Sequence, residues 1–311
     1  MNHTIQISDA YDDANVLTHT APHHADEIFA TAILSFLMPI RVFRSRDREK
    51  IAAFQGFVYD VGGVYEASQK RFDHHQKDFV KCRENGIKYS SAGLVWEHYA
   101  EEILELYNCP PEYSILVKKR VDQSLLMGVD AADNGQSEGG MQMSVSLALD
   151  LFNKNWDEAE ESATEGFLKA CAYAADLLHR LILSSISLMK GRSCVENAIR
   201  QNKGSVLILP QYINGMTEAV LDSESEQAQN ILYIIFPNRS GNWNIRAVPP
   251  SKQEPMKQRK PLPEAWRGLS GHKLEEICGI KEAVFCHASG FFAVAGSEEA
   301  AVRMAEKASI R

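Results

Sequence analysis

What this 311-residue chain lacks bounds its function before any motif is read. Its six cysteines, Cys82, Cys109, Cys171, Cys194, Cys278 and Cys286, include no C-x-x-C pair, which excludes a zinc ribbon and argues against a disulfide framework. No stretch approaches the roughly 20 apolar residues of a membrane-spanning helix, and the polar residues 1–13 hold no signal-peptide core. The expectation is a cytoplasmic protein with reduced thiols and no membrane partner. Positive charge is in deficit too. A net charge of −8 weighs against a long duplex track, which needs an extended basic face to displace counterions, but it allows a short strand end. Internal repeats and low-complexity tracts are missing as well.

Histidine and aspartate, in contrast, are concentrated. His19-Thr20-Ala21-Pro22-His23-His24-Ala25-Asp26-Glu27 comes after the apolar run Asn15-Val16-Leu17, Asp60-Val61-Gly62-Gly63 after Phe57-Val58-Tyr59, and Arg71-Phe72-Asp73-His74-His75-Gln76 soon after that. A lone His-His pair or Asp-Gly turn is ordinary loop chemistry. Clusters that follow short apolar runs differ, because such runs read as buried strands and ligands of open α/β sheets gather at the strands' carboxyl ends. Imidazole nitrogen and carboxylate oxygen without thiolate suit Mn, Mg, Fe or Zn. Two such ions sharing a carboxylate roughly 3.5–4 Å apart activate water and steady a phosphoryl centre, so the implied chemistry is phosphoester hydrolysis.

Length favours two domains. The apolar stripe Ile28, Phe29, Ala32, Ile33, Phe36 and Leu37 predicts a helix beginning near Asp26 and Glu27. Strands are expected at 40–43 and 57–60, helices at 91–107 and 112–129, and a long helical region at 158–190. This alternation predicts an α/β fold: an N-terminal doubly wound, mostly parallel sheet with helices on both faces (1–190), a linker (191–204), and a smaller mixed α/β domain (205–311), with an active-site cleft between them. In the second domain strands are expected at 206–209, 231–236, 243–248, 283–287 and 291–295, with a closing helix at 297–308. A Pro- and Lys-rich loop, 249–263, interrupts it. Basic residues cluster at Arg41, Arg44, Arg46, Arg48 and Lys50, which reads as solvated surface, and at Lys252, Lys257, Arg259 and Lys260 beside Arg267.

The ordered motifs Thr18-His19 with His24-Ala25-Asp26-Glu27, Asp60-Val61-Gly62-Gly63-Val64-Tyr65, Arg71-Phe72-Asp73-His74-His75-Gln76, Ser90-Ser91-Ala92-Gly93-Leu94 and Val129-Asp130-Ala131-Ala132-Asp133-Asn134-Gly135, then Pro263-Glu264-Ala265-Trp266-Arg267-Gly268-Leu269 and His287-Ala288-Ser289-Gly290-Phe291, together span nearly the whole chain. In this order they resemble the MYG family of exonucleases, itself similar to the DHH phosphoesterase superfamily. The resemblance implies two divalent metal ions, manganese first, with Mg, Fe or Zn as alternatives. His19, His24, Asp26 and Asp60 would surround one ion, Asp60 would bridge, and Asp26, His74 and Asp130 would complete the second. Asp60, Asp73, His74 and His75 are the implied catalytic group. His24 stands where the superfamily has aspartate, which lowers the negative charge of the site by one, and His23 reads as a bystander.

Asp130 and Asp133 lie one helical turn apart and compete for one ligand position. Asp130 is preferred, with Asp133 and Asn134 behind it or in a helix-ending turn with Gly135. Ser90 and Ser91 read as a helix start, and such a start beside metals could hold phosphate, so Ser91 is a substrate-binding candidate. Arg267, His287, Ser289 and Gly290 match the family's substrate-recognising segments. The implied activity is 3′-to-5′ removal of nucleotides from single-stranded RNA or short oligonucleotides, by a monomer or a homo-oligomer. The same ligands would also serve a small-substrate phosphohydrolase acting on pyrophosphate or a cyclic dinucleotide. A non-catalytic nucleotide-binding protein would need a degraded ligand set, and the ligand types are kept.

Overall fold

A computed structural model describes residues 3–137 and 143–310. Its packing divides the chain into two units, Met1–Ile186 and Ser187–Arg311. The first unit holds β1 (Ile5–Ile7), β2 (Val16–Thr18), β3 (Ile40–Arg44), β4 (Phe57–Tyr59), β5 (Tyr65–Glu66) and β6 (Arg71–Phe72), in the order β1-β3-β2-β4-β6-β5. Every pairing is parallel except β5 with β6. Val16, Leu17, Val58, Tyr59 and Phe72 are fully buried, so these short strands are held by packing, at about 1.5–3 kcal/mol per large apolar side chain. From β2 the chain moves outward to β3 and then returns across β2 to β4. The direction of winding therefore reverses beside β2, where ligands of open α/β sheets collect.

The helices of this unit are α1 (Ala25–Leu34), α2 (Arg48–Ala53), α3 (Ser91–Leu106), α4 (Pro111–Val121), α5 (Met127–Asp133), α6 (Val145–Asp150) and the start of α7 (Glu161–Gln201). Between α4 and α5 the single helix expected at 112–129 passes through a π-helical turn, Asp122–Leu126. The linker expected at 191–204 is instead mostly helix, since α7 continues to Gln201. The reason is burial. Val195 and Ile199, one turn apart, join Leu207, Ile213 and Val220 in a core of the second unit, and a Cβ on Gly191 would come within 2.7 Å of Ile213. Gly191 thus permits close packing inside a helix.

The second unit has β7 (Val206–Ile208), β8 (Tyr233–Pro237), β9 (Trp243–Ala247), β10 (Ala283–Cys286) and β11 (Phe292–Ala295) in the order β10-β11-β9-β8-β7, with α8 (Met216–Asp222), α9 (Glu226–Asn230), α10 (Gly271–Cys278) and α11 (Glu298–Ile310). Only β7 and β8 pair in parallel among these strands. Tyr233, Ile245, Trp266, Leu274 and Met304 centre its larger core.

Candidate metal centre

Three neighbouring parallel strands deliver the donors. His19 follows β2, Asp60 follows β4, and Asp73, His74 and His75 follow β6, while Asp26 and Glu27 come from the first turn of α1 and Asp133 from the end of α5. His19 Nε2 lies 3.0 Å from Glu27 Oε1 and 3.2 Å from Asp60 Oδ2. His74 Nε2 lies 3.1 Å from Asp133 Oδ2, 3.6 Å from Asp26 Oδ2 and 3.8 Å from Asp60 Oδ1. The donors form overlapping groups, His19/His24/Glu27/Asp60, Asp60/Asp73/His74/His75 and Asp26/His74/Asp133, each with its ligand atoms within 4.8 Å of one another. Asp60 belongs to the first two groups and His74 to the last two. Asp60 adopts φ 56°, a left-handed conformation that costs a non-glycine residue about 1–3 kcal/mol and marks functional positions.

The residues fit a hard divalent cation. Glu27 Oε1 and His74 Nε2 are buried yet hydrogen-bonded to nothing in the protein; their neighbours are close but not aligned as donors and acceptors. Burial, reinforced by Asp60 and Asp133, holds the Asp26 carboxyl well above the usual range, and burial raises Glu27 as well. Burial would lower His19 and His74, but close carboxylates, Asp60 and Glu27 at His19 and Asp133, Asp60 and Asp26 at His74, outweigh it and push them up to about 10 and about 11. The cluster thus takes up protons to offset its negative charge, a task a divalent ion does better. A cavity of about 350 Å³ adjoins it, lined by His24, Asp26, Val129, Asp133, Ser146 and Asp150.

In the second unit Arg267, His287, Ser289 and Gly290 also meet. His287 Nδ1 accepts from the Ser289 hydroxyl (2.8 Å) and the Ser289 N–H (3.2 Å), so its neutral ring carries the hydrogen on Nε2. Arg267 Nε donates to the Leu262 carbonyl at 3.0 Å. Gly290, at φ 72°, lies where a Cβ would be 2.8 Å from Arg267 Nε, and this is the reason only glycine fits.

A family model described as "Uncharacterised protein family (UPF0160)", the MYG1 exonuclease model, matches residues 15–309. The chain belongs to the MYG1 exonuclease family. MYG1 exonuclease of Homo sapiens is 31% identical over 316 residues, covering 93% of this chain and 84% of that one. MYG1 protein of Dictyostelium discoideum is 31% identical over 318 residues, covering 95% and 96%. A solved structure titled "pGpG-specific phosphodiesterase - PggH from Vibrio cholrae" aligns over 95% of this chain and 97% of that one at 13% identity, with a TM-score of 0.29, too weak a likeness to bear on the reaction.

Set against the MYG1 motifs, several expected residues stand elsewhere than the sequence suggests. Ser91 does not face substrate. It is fully buried, and its hydroxyl accepts the Asp60 N–H at 3.0 Å. The α3 N-terminus is filled from within, because Asp26 accepts from Ser91 N–H (2.9 Å), Ala92 N–H (2.5 Å) and the Ser90 hydroxyl (2.7 Å). The buried Asp26 carboxyl occupies the position an anion would take at this helix start. Asp130, fully buried, joins none of the donor groups found among the described residues and is held by Arg83 and Ser90, whereas Asp133, its side chain 16% exposed, reaches His74. Asn134 donates to the Asp130 carbonyl and ends the helix.

Asp73 spends its oxygens on the His74 and Gly63 N–H groups and on the His75 ring, 2.7 Å away. Burial would raise its pKa, but these bonds lower it. Its geometry is that of a carboxylate orienting His75, whose side chain is 59% exposed. His24 lies in the donor group, while His23 is buried, with Nε2 3.2 Å from the Leu149 carbonyl. Sequence reasoning missed Glu27, whose Oε2 accepts the His24 N–H; a Glu three residues into a helix reads as capping. It also missed Arg83. Arg44, from a basic cluster whose sequence reads as solvated surface, donates to the His19 carbonyl at 2.8 Å.

Proposed function

We propose that this MYG1-family hydrolase is a divalent-metal-dependent phosphodiesterase that removes nucleotides from the 3′ end of single-stranded RNA or short oligonucleotides. The observation that carries this reading is the sharing of Asp60 between two groups of nitrogen and oxygen donors at the ends of three parallel strands. His19, His24, Glu27 and Asp60 would hold one ion, and Asp60, His74, Asp26 and Asp133 a second, with manganese favoured by the donor chemistry. Such a pair, when bound, lowers the pKa of water and offsets charge on a phosphoryl centre. The chain's own part is to position. Asp73 fixes His75, which is exposed beside Asp60 and free to donate to a phosphate oxygen. Arg267 and His287, through Nε2–H, supply donors for the nucleotide end, and Ser289 holds the His287 ring in that tautomer. Nuclease action is supported by the printed names of the relatives; the polarity and the RNA preference rest on the family resemblance. Buried free thiols at Cys171, Cys278 and Cys286 suit a reducing compartment such as the cytoplasm.

The test offers end-labelled RNA, DNA, linear and cyclic dinucleotides and pyrophosphate to Mn-loaded and chelator-treated protein. Expected are 3′-shortened RNA products that vanish on chelation and return best with Mn. Turnover in metal-free protein, or pyrophosphate as the preferred substrate, would overturn the reading.

A further inference from the structure

Behind the donor groups lies a second polar layer that the proposed chemistry leaves unexplained. Arg83, its side chain 7% exposed, forks onto the fully buried Asp130, with Nε at 2.8 Å and one terminal nitrogen at 2.7 Å from Oδ2. Its other terminal nitrogen pairs with Asp122. Asp130 Oδ1 is 2.7 Å from the Ser90 hydroxyl, and that same hydroxyl is 2.7 Å from Asp26 Oδ1. A serine hydroxyl has one hydrogen, so it serves only one of these carboxylates at a time. The guanidinium, donating from Nε and lying close through a terminal nitrogen to the same oxygen, offsets the charge on Asp130, and the Ser90 hydrogen is left for Asp26.

Two local features build this layer. Asp122 and Asp130 are eight positions apart, which along an α-helix is an advance of about 800° and would leave the side chains about 80° apart. The π turn at Asp122–Leu126 absorbs one extra residue, so the advance is close to about 700° and both carboxylates come within about 20° of one face. The π turn is what lets one arginine hold both. Gly93 supplies the second feature, since a Cβ there would meet the Asp130 oxygens at 2.5 and 2.6 Å; only glycine lets Asp130 lie against α3, beside Ser90.

We infer that Arg83 is a positioning residue for the metal centre: by neutralising Asp130 it commits the Ser90 hydroxyl to Asp26 and so fixes the orientation of the carboxylate that would bind the ion. This rests on the proposed metal dependence. Without Arg83, Asp130 is a buried, uncompensated carboxylate that competes for the Ser90 hydrogen. With Asp130 neutral, Arg83 has nothing left to do for the metal.

The experiment is a calorimetric Mn titration of the full chain, with thermal melting alongside, for wild type, Arg83→Gln, Asp130→Asn and the double variant. Arg83→Gln is expected to weaken Mn binding by about tenfold, the lower end for residues behind the ligands, and the double variant to bind as Asp130→Asn does. A merely structural Arg83 would lower the melting temperature equally in both backgrounds and leave affinity alone. Wild-type affinity in folded Arg83→Gln overturns the inference, as does a double variant that binds about tenfold more weakly than Asp130→Asn. The second comparison holds even if Arg83→Gln alone does not fold. Wild-type protein that binds no Mn overturns the metal reading itself, a result distinct from either.

Discussion

Asp60 combines three properties rarely found on one side chain: near-complete burial, a left-handed backbone and membership of two donor groups. Asp60→Ala is therefore expected to strip metal from both groups, whereas His24→Ala weakens one; metal content after desalting checks this, and two retained ions in Asp60→Ala would refute sharing. Asp133→Asn should likewise weaken Mn binding while Asp130→Asn keeps the wild-type stoichiometry, and the reverse order in matched titrations would restore Asp130 as the ligand. Protons must leave as metal arrives. His19 and His74, pushed up to about 10 and about 11 in the metal-free protein, carry protons at neutral pH, and a ligating imidazole must give its proton up. Mn affinity should therefore rise with pH from neutrality toward those values, with proton release; calorimetry in buffers of different ionisation enthalpy measures it, and a buffer-independent enthalpy would refute it. The His and Asp clusters were legible in the sequence because apolar runs precede them. That Asp133 and not Asp130 meets His74 was not, because both share one helix and only its rotation about its axis decides which carboxylate lies there.

Helices α3 and α5 pack closely behind the centre. Their approach depends on Gly93, and Gly93→Ala would press a methyl against the Asp130 carboxylate. Overpacking of this kind costs about 1–3 kcal/mol, and at roughly 2–4 °C per kcal/mol for a unit of this size the melting temperature should drop measurably. An unchanged melt would show that the two helices have slack. Strands and amphipathic helices were readable because apolar periodicity records burial, as in the fully buried Val16, Leu17 and Val58. The π turn carries no such record, because Asp122–Leu126 has ordinary helical residues. Residues 191–201 were misread for a related reason. Gly191 resembles a breaker until Ile213 is seen packed against it, and α10 is only one short amphipathic stretch, Gly271–Cys278, resting on Leu274 and Cys278.

At the scale of the whole molecule, the first unit gathers acidic and imidazole groups and the second presents Arg267, on which no carboxylate pairs among the described residues. That division is consistent with a net charge of −8, since one guanidinium at a strand end needs no extended basic face. Arg267 is anchored by Nε at the Leu262 carbonyl, leaving its terminal nitrogens for a phosphate. Removing a charge-assisted contact of this kind costs about 1.5–3 kcal/mol, which at about 1.4 kcal/mol per tenfold lowers kcat/KM for a short RNA by one to two orders of magnitude. Arg267→Ala should do this with metal content unchanged and melting little altered, because the anchoring bond it loses is one of many in its unit. Arg267→Lys should recover part of the loss, a point charge replacing a fork. Unchanged kinetics in Arg267→Ala would make the residue a structural clamp over Gly290, and loss of metal would show that the two units do not divide the work as proposed.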